Sequence, residues 1–334
     1  MEQEIQFCTT PDKISIAYAT AGSGPPLVKV ANWISHLELD WNSPVWSHLL
    51  EEFSRDHRLV RYDERGTGLS DRNVDEMSLN AFVDDLASVV EALGLERFPL
   101  LAISQGGPVA VAYAVRYPEK VSHLVIFGSF ASGWKRRNLS EREIEKRQAQ
   151  LALIRTGWGS QNPATRQLFT TLCIPNGSPE ELESFNELQR RSASATNAAR
   201  IFETIGDLDV SDLLPKLQVP VMVLHSRDDA LVPFEEGRHL AAMIPQSKFV
   251  PLESQNHLLL RHERAWERFV SEVRNFIGAP PAPVLEGNTF TMRSCPVCQR
   301  LYSGEVIFCL DDGTKLIPRS QSEEESTRIF PRTI

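Results

Sequence analysis

Short apolar runs and longer amphipathic stretches alternate along most of this chain. The runs are rich in Val, Ile and Leu, a composition typical of strands buried on both faces of a parallel sheet. After Ser78, apolar side chains instead recur every three or four residues, which predicts a helix with one buried face. This alternation predicts an α/β fold, with a mostly parallel sheet and helices on both of its faces. The predicted parallel strands are residues 27–30, 58–62, 98–103, 121–127, 219–225 and 248–252.

The first residues follow a different pattern. Residues 4–10 and 14–20 each alternate between apolar and polar positions and flank a Pro-Asp turn, which predicts an antiparallel hairpin at one edge of the sheet. We expect a loop over residues 31–42. Pro44 is suited to the first turn of a helix, which we expect to continue to about residue 53.

Strand signals stop after residue 128 and return only near residue 216. In this interval Ser140 and Ser178 each begin a Ser-x-x-Glu sequence, which is the capping box of a helix N-terminus. Apolar and small side chains between residues 195 and 205 predict a third helix. We therefore expect a helical insertion that forms a lid over the carboxyl edge of the sheet.

The residues after the last predicted helix differ in composition from the rest. A Pro-rich segment predicts a stiff linker, and the polar C-terminal residues predict a disordered tail. The predicted organisation is an α/β core of residues 1–128 and 216–277, a lid of residues 129–215, a linker of residues 278–289, a small module of residues 290–318 and a disordered tail of residues 319–334.

Charge and composition exclude several classes of partner. The 334 residues carry a net charge of -9, so the chain lacks the basic character that gives strong nucleic-acid or anionic-membrane binding. No uninterrupted apolar run approaches the length of a membrane span, and the acidic start lacks the order of a signal peptide. We therefore expect a cytoplasmic protein. Three of the five cysteines cluster near the C-terminus, which favours a metal site over disulfides.

The stretch from Phe98 to Ala110 combines a buried strand, a turn of small residues and a helix. Ser104 lies on this turn within Ala102-x-Ser104-x-Gly106, which differs by one methyl group from the nucleophile-elbow pattern G-x-S-x-G. Such a turn lifts the serine hydroxyl out of the sheet and needs small neighbours. The alternative is an ordinary strand–helix turn with a capping serine.

Two further features match the same kind of protein. Residues 63–70 have the pattern D-x-R-G-x-G-x-S, and an acid and a histidine follow the last two predicted strands in the order Ser…Asp…His. With the elbow, these features make residues 1–277 resemble the α/β-hydrolase superfamily. Residues 41–46, 61–63 and 252–257 are similar to hydrolase domains fused to bacterial signalling or regulatory modules. The resemblance implies an α/β-hydrolase fold with an inserted lid, in which the D-x-R loop braces the site.

Three catalytic roles follow from this resemblance. Ser104 would be the nucleophile, and it needs a base to take its proton. His257 would be that base, since it follows the last strand. Asp229 would fix the tautomer of the histidine, because it stands four residues before the Pro of a D-x-x-V-P turn. The alternatives are His225 or His262 for the base and Asp228 for the acid.

A tetrahedral intermediate also needs donors for its oxyanion. The resemblance implies the backbone N–H groups of Gln105 and of Trp33. Where the family usually has His-Gly, this chain has Ala31-Asn32, and Asn lacks the backbone freedom of Gly. Trp33 and two further tryptophans, Trp41 and Trp46, could line an acyl pocket or belong to the core.

The C-terminal cysteines have the spacing of a metal-binding knuckle. Cys295 and Cys298 form a C-x-x-C turn that places two thiolates together, and Cys309 follows. Asp312 stands three residues later, where a fourth ligand is expected. The segment resembles small bacterial zinc ribbons, which implies a structural Zn²⁺ bound by these four residues and a protein partner. The alternatives are a metal-free hairpin unit and a redox-active C-x-x-C.

Together these features predict a carboxylesterase-like serine hydrolase. It would cleave a small ester or related acyl compound through an acyl-enzyme, with no cofactor for the chemistry. A carbon–carbon bond hydrolase or a perhydrolase would use the same triad. A different class of function is a catalytically weak sensory scaffold, which would bind a ligand in the hydrolase pocket and a partner through the ribbon.

Overall fold

The computed structural model describes residues 2–278, 293–298, 301–302, 309 and 314–318. They fall into two units, divided between residues 282 and 283. In the first unit, eight strands form one sheet in the order β1-β2-β4-β3-β5-β6-β7-β8. The strands are β1 Gln3–Thr9, β2 Ser15–Ala21, β3 Pro26–Lys29, β4 Arg58–Tyr62, β5 Phe98–Ile103, β6 Val121–Phe127, β7 Val221–Ser226 and β8 Lys248–Leu252.

The sheet is parallel except at one edge. Strands β1 and β2 pair antiparallel with each other, and β2 pairs antiparallel with β4. All the remaining neighbours are parallel, from β4 through β3 and β5 to β8. The predicted α/β fold with a hairpin at the sheet edge is therefore confirmed. Parallel strands bring their carboxyl ends to a common edge, where ligands bind in open α/β sheets.

Helices cover both faces of this sheet. The helices that contain Phe82, Val109 and Leu240 bury these side chains against one face. The helices that contain Phe53 and Phe269 bury theirs against the other. Within the described residues, no helix is both long and apolar enough to cross a membrane. The helices are α1 Leu37–Asn42, α2 Ser47–Ser54, α3 Leu79–Ala92, α4 Gly106–Arg116, α5 Glu141–Gly157, α6 Ala164–Cys173, α7 Pro179–Ser192, α8 Ala195–Asp207, α9 Phe234–Met243 and α10 Arg264–Ile277.

The expected loop over residues 31–42 is wrong in its second half, where α1 forms. The backbone N–H of Leu37, at the start of α1, donates to the Asp63 carboxylate at 3.1 Å. Asp63 lies far away in sequence, so the local pattern could not reveal this cap. No helix was expected at α6, which follows Pro163; Pro163 provides no side-chain cap, and the Ala164 N–H donates to Asn162 Oδ1 at 3.0 Å. The next helix, α2, begins at Ser47 and not at Pro44.

Four helices, α5 to α8, lie between β6 and β7 in the chain. Ser140 and Ser178 form both hydrogen bonds of a capping box at the starts of α5 and α7, as predicted. Trp158 and Phe202 belong to a separate apolar cluster, which also includes Ile34 from the loop after β3. The helical insertion therefore packs against a loop at the carboxyl edge of the sheet. We call these four helices the lid.

The loop after β4 is fixed by buried charges. Asp63 accepts hydrogen bonds from Ser35 Oγ at 2.7 Å and from the backbone N–H of Leu69 at 2.9 Å. Arg65 is 1% exposed and pairs with Asp85 at 2.8 Å, and the Asp85 side chain is itself fully buried. A buried pair of this kind is costly to break, because the remaining charge has no water to solvate it.

The described residues of the second unit form three short strands, β9 Arg293–Ser294, β10 Leu301–Tyr302 and β11 Ile317–Pro318. They form an antiparallel sheet with β9 in the centre. Cys295, Cys309 and Leu316 are buried together in this unit. Apart from Gly278, the predicted linker and the predicted tail lie outside the described residues.

The Arg65–Asp85 pair provides a test of how the loop is held. Burial raises the pKa of Asp85 to about 6, so the carboxylate is ionised at pH 8. We expect Asp85→Asn to lower the free energy of unfolding by about 2 kcal/mol at this pH, because Arg65 loses its buried carboxylate partner and keeps only Asp12, which is 46% exposed. Urea denaturation measures the change. The control is Asp84→Asn, since the Asp84–Arg116 pair is about half exposed and should contribute at most ~1 kcal/mol. Equal losses in both variants would contradict the structural role.

Candidate active site

Ser104 occupies a strained turn between β5 and α4. Its φ angle is +54°, in the left-handed region that costs an L-residue about 1–2 kcal/mol. Its backbone N–H donates to the carbonyl of Phe127 at the end of β6, at 2.9 Å, and its carbonyl accepts from Gly107 N–H at 3.0 Å. These bonds hold the serine in a conformation that the free chain would avoid, as a nucleophile elbow requires.

Two glycines allow the backbone to pass close to this turn. A Cβ on Gly106 would lie 2.8 Å from the carbonyl oxygen of Ala31, and a Cβ on Gly107 would lie 2.0 Å from Ser129 Oγ. Ser129 Oγ in turn donates to the Ser104 carbonyl at 2.6 Å. Gly106 and Gly107 are therefore required because a side chain at either position would collide with its neighbours. Ala102, which replaces the first Gly of the usual motif, fits within β5 and is fully buried.

Asp229 and His257 are held together at the same edge of the sheet. Asp229 follows β7 and His257 follows β8, and His257 Nδ1 lies 2.7 Å from Asp229 Oδ2 with both side chains buried. The other carboxylate oxygen accepts the backbone N–H groups of Leu231 and Val232, each at 2.9 Å. Asp228, the alternative acid, is exposed. The structure thus brings Asp229, and not Asp228, to the histidine.

The end of β6 connects the histidine to the serine. Gly128 follows the Phe127 carbonyl that binds Ser104, and a Cβ on Gly128 would lie 3.1 Å from His257 Cε1. A side chain here would press against the imidazole, and the φ of +58° at Gly128 also favours glycine. Among the described residues, His257 Nε2 is buried without a hydrogen-bond partner, so the Ser104 Oγ–His257 Nε2 bond is not formed.

The two other candidate histidines have different surroundings. His225 is fully buried, and its Nε2 lies 3.0 Å from the Val232 carbonyl, to which it donates. It also lies 3.6 Å from Asp229, and burial lowers its pKa, which favours the neutral ring. His262 is exposed, with its nearest carboxylate, Glu181, at 3.9 Å. His257 differs from both because its Nδ1 lies 2.7 Å from Asp229 and its ring lies beside Gly128, at the strand end that holds Ser104.

The loop after β3 carries an interaction that sequence reasoning missed. The Lys29 ammonium is buried and donates to Asn32 Oδ1 at 2.6 Å, and it lies 4.8 Å from the centre of the Trp46 ring. This bond anchors the residue next to Trp33. Trp33 lines the pocket, whereas Trp46 packs in the core and Trp41 lies against the Arg61 guanidinium. The role of Lys29 could not be predicted from the sequence, because Lys29 lies within an apolar strand and its contact with Asn32 forms only in the folded loop.

Glu64 is a second buried partner that sequence reasoning missed. The side-chain amide of Gln105, the residue after Ser104, donates to both Glu64 carboxylate oxygens, at 2.7 and 2.9 Å. Burial raises the pKa of Glu64 from its ordinary value of 4.5 to about 8. Its position inside the D-x-R motif was the only available signal. The loop after β4 therefore holds the nucleophile turn through a carboxyl–amide contact.

An apolar pocket opens beside Ser104 and Gln105. Its walls come from both the α/β core and the lid, and the side chains that line it are mostly aromatic or aliphatic. Two arginines, Arg137 and Arg147, are also in the lining. The aromatic lining residues are Trp33, Phe130, Trp134, Phe169 and Phe202.

In the second unit, the three predicted cysteine ligands come together. The Sγ atoms of Cys295, Cys298 and Cys309 all lie within 4.8 Å of one another, and the Cys298 and Cys309 sulfurs are 3.5 Å apart. Three converging thiols match the donor set that zinc prefers. Asp312, the predicted fourth ligand, lies outside the described residues.

With this geometry in place, comparison with known proteins identifies the family. A family model described as the alpha/beta hydrolase fold matches residues 36–261, which is more than half of the chain. The chain therefore belongs to the α/β-hydrolase family. The family predicted from the elbow and the D-x-R loop is thus confirmed.

Named relatives and solved structures are similar over most of the first unit. A pimeloyl-[acyl-carrier protein] methyl ester esterase from Aliivibrio salmonicida is 27% identical over 79% of this chain and 96% of its own length. A pyrrolizixenacetamide deacetylase from Xenorhabdus hominickii is 25% identical over 80% of this chain and 96% of its own. An esterase from Thermogutta terrifontis aligns with a TM-score of 0.66 at 26% identity, over 82% of this chain and 98% of that structure.

The raised pKa of Glu64 gives a pH-dependent prediction. The folded protein keeps the Glu64 proton up to about pH 8, whereas an unfolded chain releases it near its ordinary value of 4.5. The contribution of Glu64 to the free energy of unfolding is therefore complete below about pH 4.5. It declines as the pH rises, and the loss is complete once the pH passes about 8. Glu64→Gln is neutral at every pH and can keep the contact with Gln105. We expect its Tm, relative to wild type, to increase between pH 5 and pH 9.

The matched control is Glu96→Gln, because Glu96 is exposed. Its Tm difference from wild type should stay constant over the same range of pH. A Glu64→Gln difference that is constant, or that falls toward pH 9, would show that Glu64 is ionised in the folded protein.

Proposed function

We propose that this chain is a serine hydrolase that cleaves an ester of a small acyl compound. Ser104 is the nucleophile, His257 the general base and Asp229 its carboxylate partner. The observation that carries the proposal is the buried 2.7 Å contact between His257 and Asp229, next to the strand end that holds Ser104 in its strained turn. Relatives named as a methyl ester esterase and a deacetylase support acyl hydrolysis.

The contact with Asp229 sets the tautomer of His257. An ionised carboxylate only accepts, so Nδ1 carries the proton and Nε2 has a lone pair available for the Ser104 hydroxyl. The buried carboxylate then stabilises the imidazolium that forms when His257 takes this proton. Its second oxygen is already satisfied by two backbone N–H groups, which keeps Asp229 in place.

The chemical steps follow from these roles. Ser104 Oγ attacks the ester carbonyl while His257 Nε2 removes its proton, and the tetrahedral intermediate collapses as His257 protonates the leaving alcohol. Water then attacks the Ser104 acyl-enzyme, with His257 again as base, and releases the acid. Hydrogen bonds between nucleophile and base often tighten only when substrate is bound, so the substrate complex is where Ser104 Oγ must reach Nε2.

The backbone N–H groups of Gln105 and Trp33 are the proposed oxyanion donors. The Glu64 carboxyl holds the Gln105 side chain, and Lys29 holds Asn32 next to Trp33. Both donors are therefore on backbone that is fixed before substrate binds, which is what makes such donors effective. The Asn32 that replaces the family's usual Gly is compatible with this role because its φ is not positive, so the backbone at this position does not require Gly.

Steady-state hydrolysis of p-nitrophenyl esters tests the triad. We expect Ser104→Ala and His257→Ala each to lower kcat/KM by about 10⁴-fold or more, and Asp229→Asn to lower it by about 10⁴-fold because it favours the wrong histidine tautomer. Circular dichroism should show that each variant folds.

The matched controls are Asp228→Asn and His262→Ala, which change exposed neighbours of the same residue types. Both should keep kcat/KM within about threefold of wild type, since exposed substitutions away from the site have small effects. Undiminished hydrolysis in folded Ser104→Ala would refute the proposal. Ligand binding without turnover in wild type would instead support the sensory-scaffold alternative.

We further propose that Cys295, Cys298 and Cys309 bind a structural zinc ion in the second unit. Three sulfurs within 4.8 Å of one another carry this proposal, and a module of this size has too small a core to be stable by itself. The fourth ligand would be Asp312. In this arrangement the metal holds the short strands together and has no part in the hydrolase reaction.

Metal analysis of the full chain tests this site. We expect about one zinc per chain in wild type and a near-complete loss in Cys298→Ser, because a structural site needs its full set of ligands. Cys8→Ser, which changes a cysteine of the first unit, should keep the zinc. A wild-type protein expressed with zinc but lacking metal, particularly one with a Cys295–Cys298 disulfide, would favour the redox alternative.

A further inference from the structure

The pocket beside Ser104 contains two cations in an otherwise apolar lining. Arg137 precedes α5 and Arg147 lies on α5, and both line the pocket together with aromatic residues such as Phe130 and Trp134. Aromatic and aliphatic side chains explain binding of an apolar acyl group. They do not explain why two guanidinium groups face the same small space.

Only one of these arginines has a close ionic partner among the described residues. Arg137 Nη1 lies 3.3 Å from Glu236 Oε1, and its Nε donates to the Ser132 carbonyl at 2.7 Å. Arg147 instead donates to the neutral amide oxygen of Gln150 at 3.1 Å, and within the described part of the chain it forms no ion pair. Arg147 therefore retains both its charge and spare N–H donors for a ligand.

Gln150 adds an independent observation at this point. Its side chain is 2% exposed, and its Nε2 is buried without a hydrogen-bond partner in the described residues. Because Gln150 Oε1 accepts from Arg147, the Gln150 amide without a partner lies next to a guanidinium that forms no ion pair among the described residues. Gln150 does not itself line the pocket, so its contact holds the Arg147 side chain in place, and the remaining Arg147 N–H groups are suited to an acceptor brought by a ligand.

The electrostatic surroundings of the two arginines combine burial, mutual repulsion and nearby carboxylates. Burial lowers the pKa of both arginines, and the positive charge of Arg137 lowers that of Arg147 further. The carboxylates of Glu236 and Glu143 act in the opposite direction, but Glu143 also caps α5 through Ser140. Two partly desolvated cations that repel each other are stabilised by a carboxylate, which guanidinium groups bind in a bidentate geometry.

We propose that the hydrolase acts on an ester with an apolar acyl chain that ends in a carboxylate, and that Arg147, with Arg137 beside it, binds this carboxylate. This inference rests on the proposed function, since it names the substrate class of the same pocket. The aromatic lining holds the chain between the two ends, so the ester carbonyl lies at Ser104 while the anion lies at the arginines.

Matched ester pairs test the inference. The mono-p-nitrophenyl esters of dicarboxylic acids from adipic to suberic are compared with neutral isosteres, in which an isopropyl group replaces the free carboxylate. We expect the best anionic ester to exceed its isostere in kcat/KM by about tenfold to a hundredfold, the range for a charged hydrogen bond. In Arg147→Gln this ratio should fall to about one. The exposed Arg142→Gln on the same helix should keep the wild-type ratio.

A wild-type ratio at or below one, with the neutral esters still hydrolysed, would overturn the substrate class and leave the serine hydrolase in place. If neither ester is hydrolysed, the proposed function fails, and calorimetric titration of adipate into Ser104→Ala decides the inference separately. Adipate binding that is lost on adding Arg147→Gln supports an anion site, whereas absence of binding overturns it.

Discussion

The left-handed turn at Ser104 is the constraint on which the rest of this site depends. A serine pays about 1–2 kcal/mol for such a conformation, so it persists only where other bonds hold it. The end of β6 supplies these bonds through Phe127 and Ser129, and the same strand end leaves space for His257 at Gly128. One strand end therefore sets the positions of both nucleophile and base.

Buried charges give the turn its second support. Asp63, Glu64 and Arg65 are consecutive and all buried, yet each fixes a different element: the start of α1, the Gln105 side chain and helix α3. Such groups are expensive to desolvate, and they are retained where they hold backbone in one arrangement. This loop is rich in ionisable residues, although it has no reacting group, because their buried contacts hold its neighbours in place.

The sequence predicted the fold well because its signals are local. Capping boxes at Ser140 and Ser178 and the apolar runs of the parallel strands depend on neighbouring residues alone. The helix α1 was missed because its cap is Asp63, which is close only after folding. Lys29, Glu64 and the Arg147–Gln150 pair were missed for the same reason, since a polar residue's role depends on partners from other elements. Ser104, Asp229 and His257 could be predicted from the sequence, because each follows a predicted strand and they occur in the order Ser…Asp…His.

The most direct measurement of the central claim is covalent labelling with a fluorophosphonate, followed by mass-spectrometric mapping of the modified peptide. Activation of Ser104 by His257 predicts a single adduct on Ser104 in wild type, and no adduct in His257→Ala under the same conditions. A folded wild-type protein that forms no adduct, or one whose adduct maps to another serine, would contradict the account.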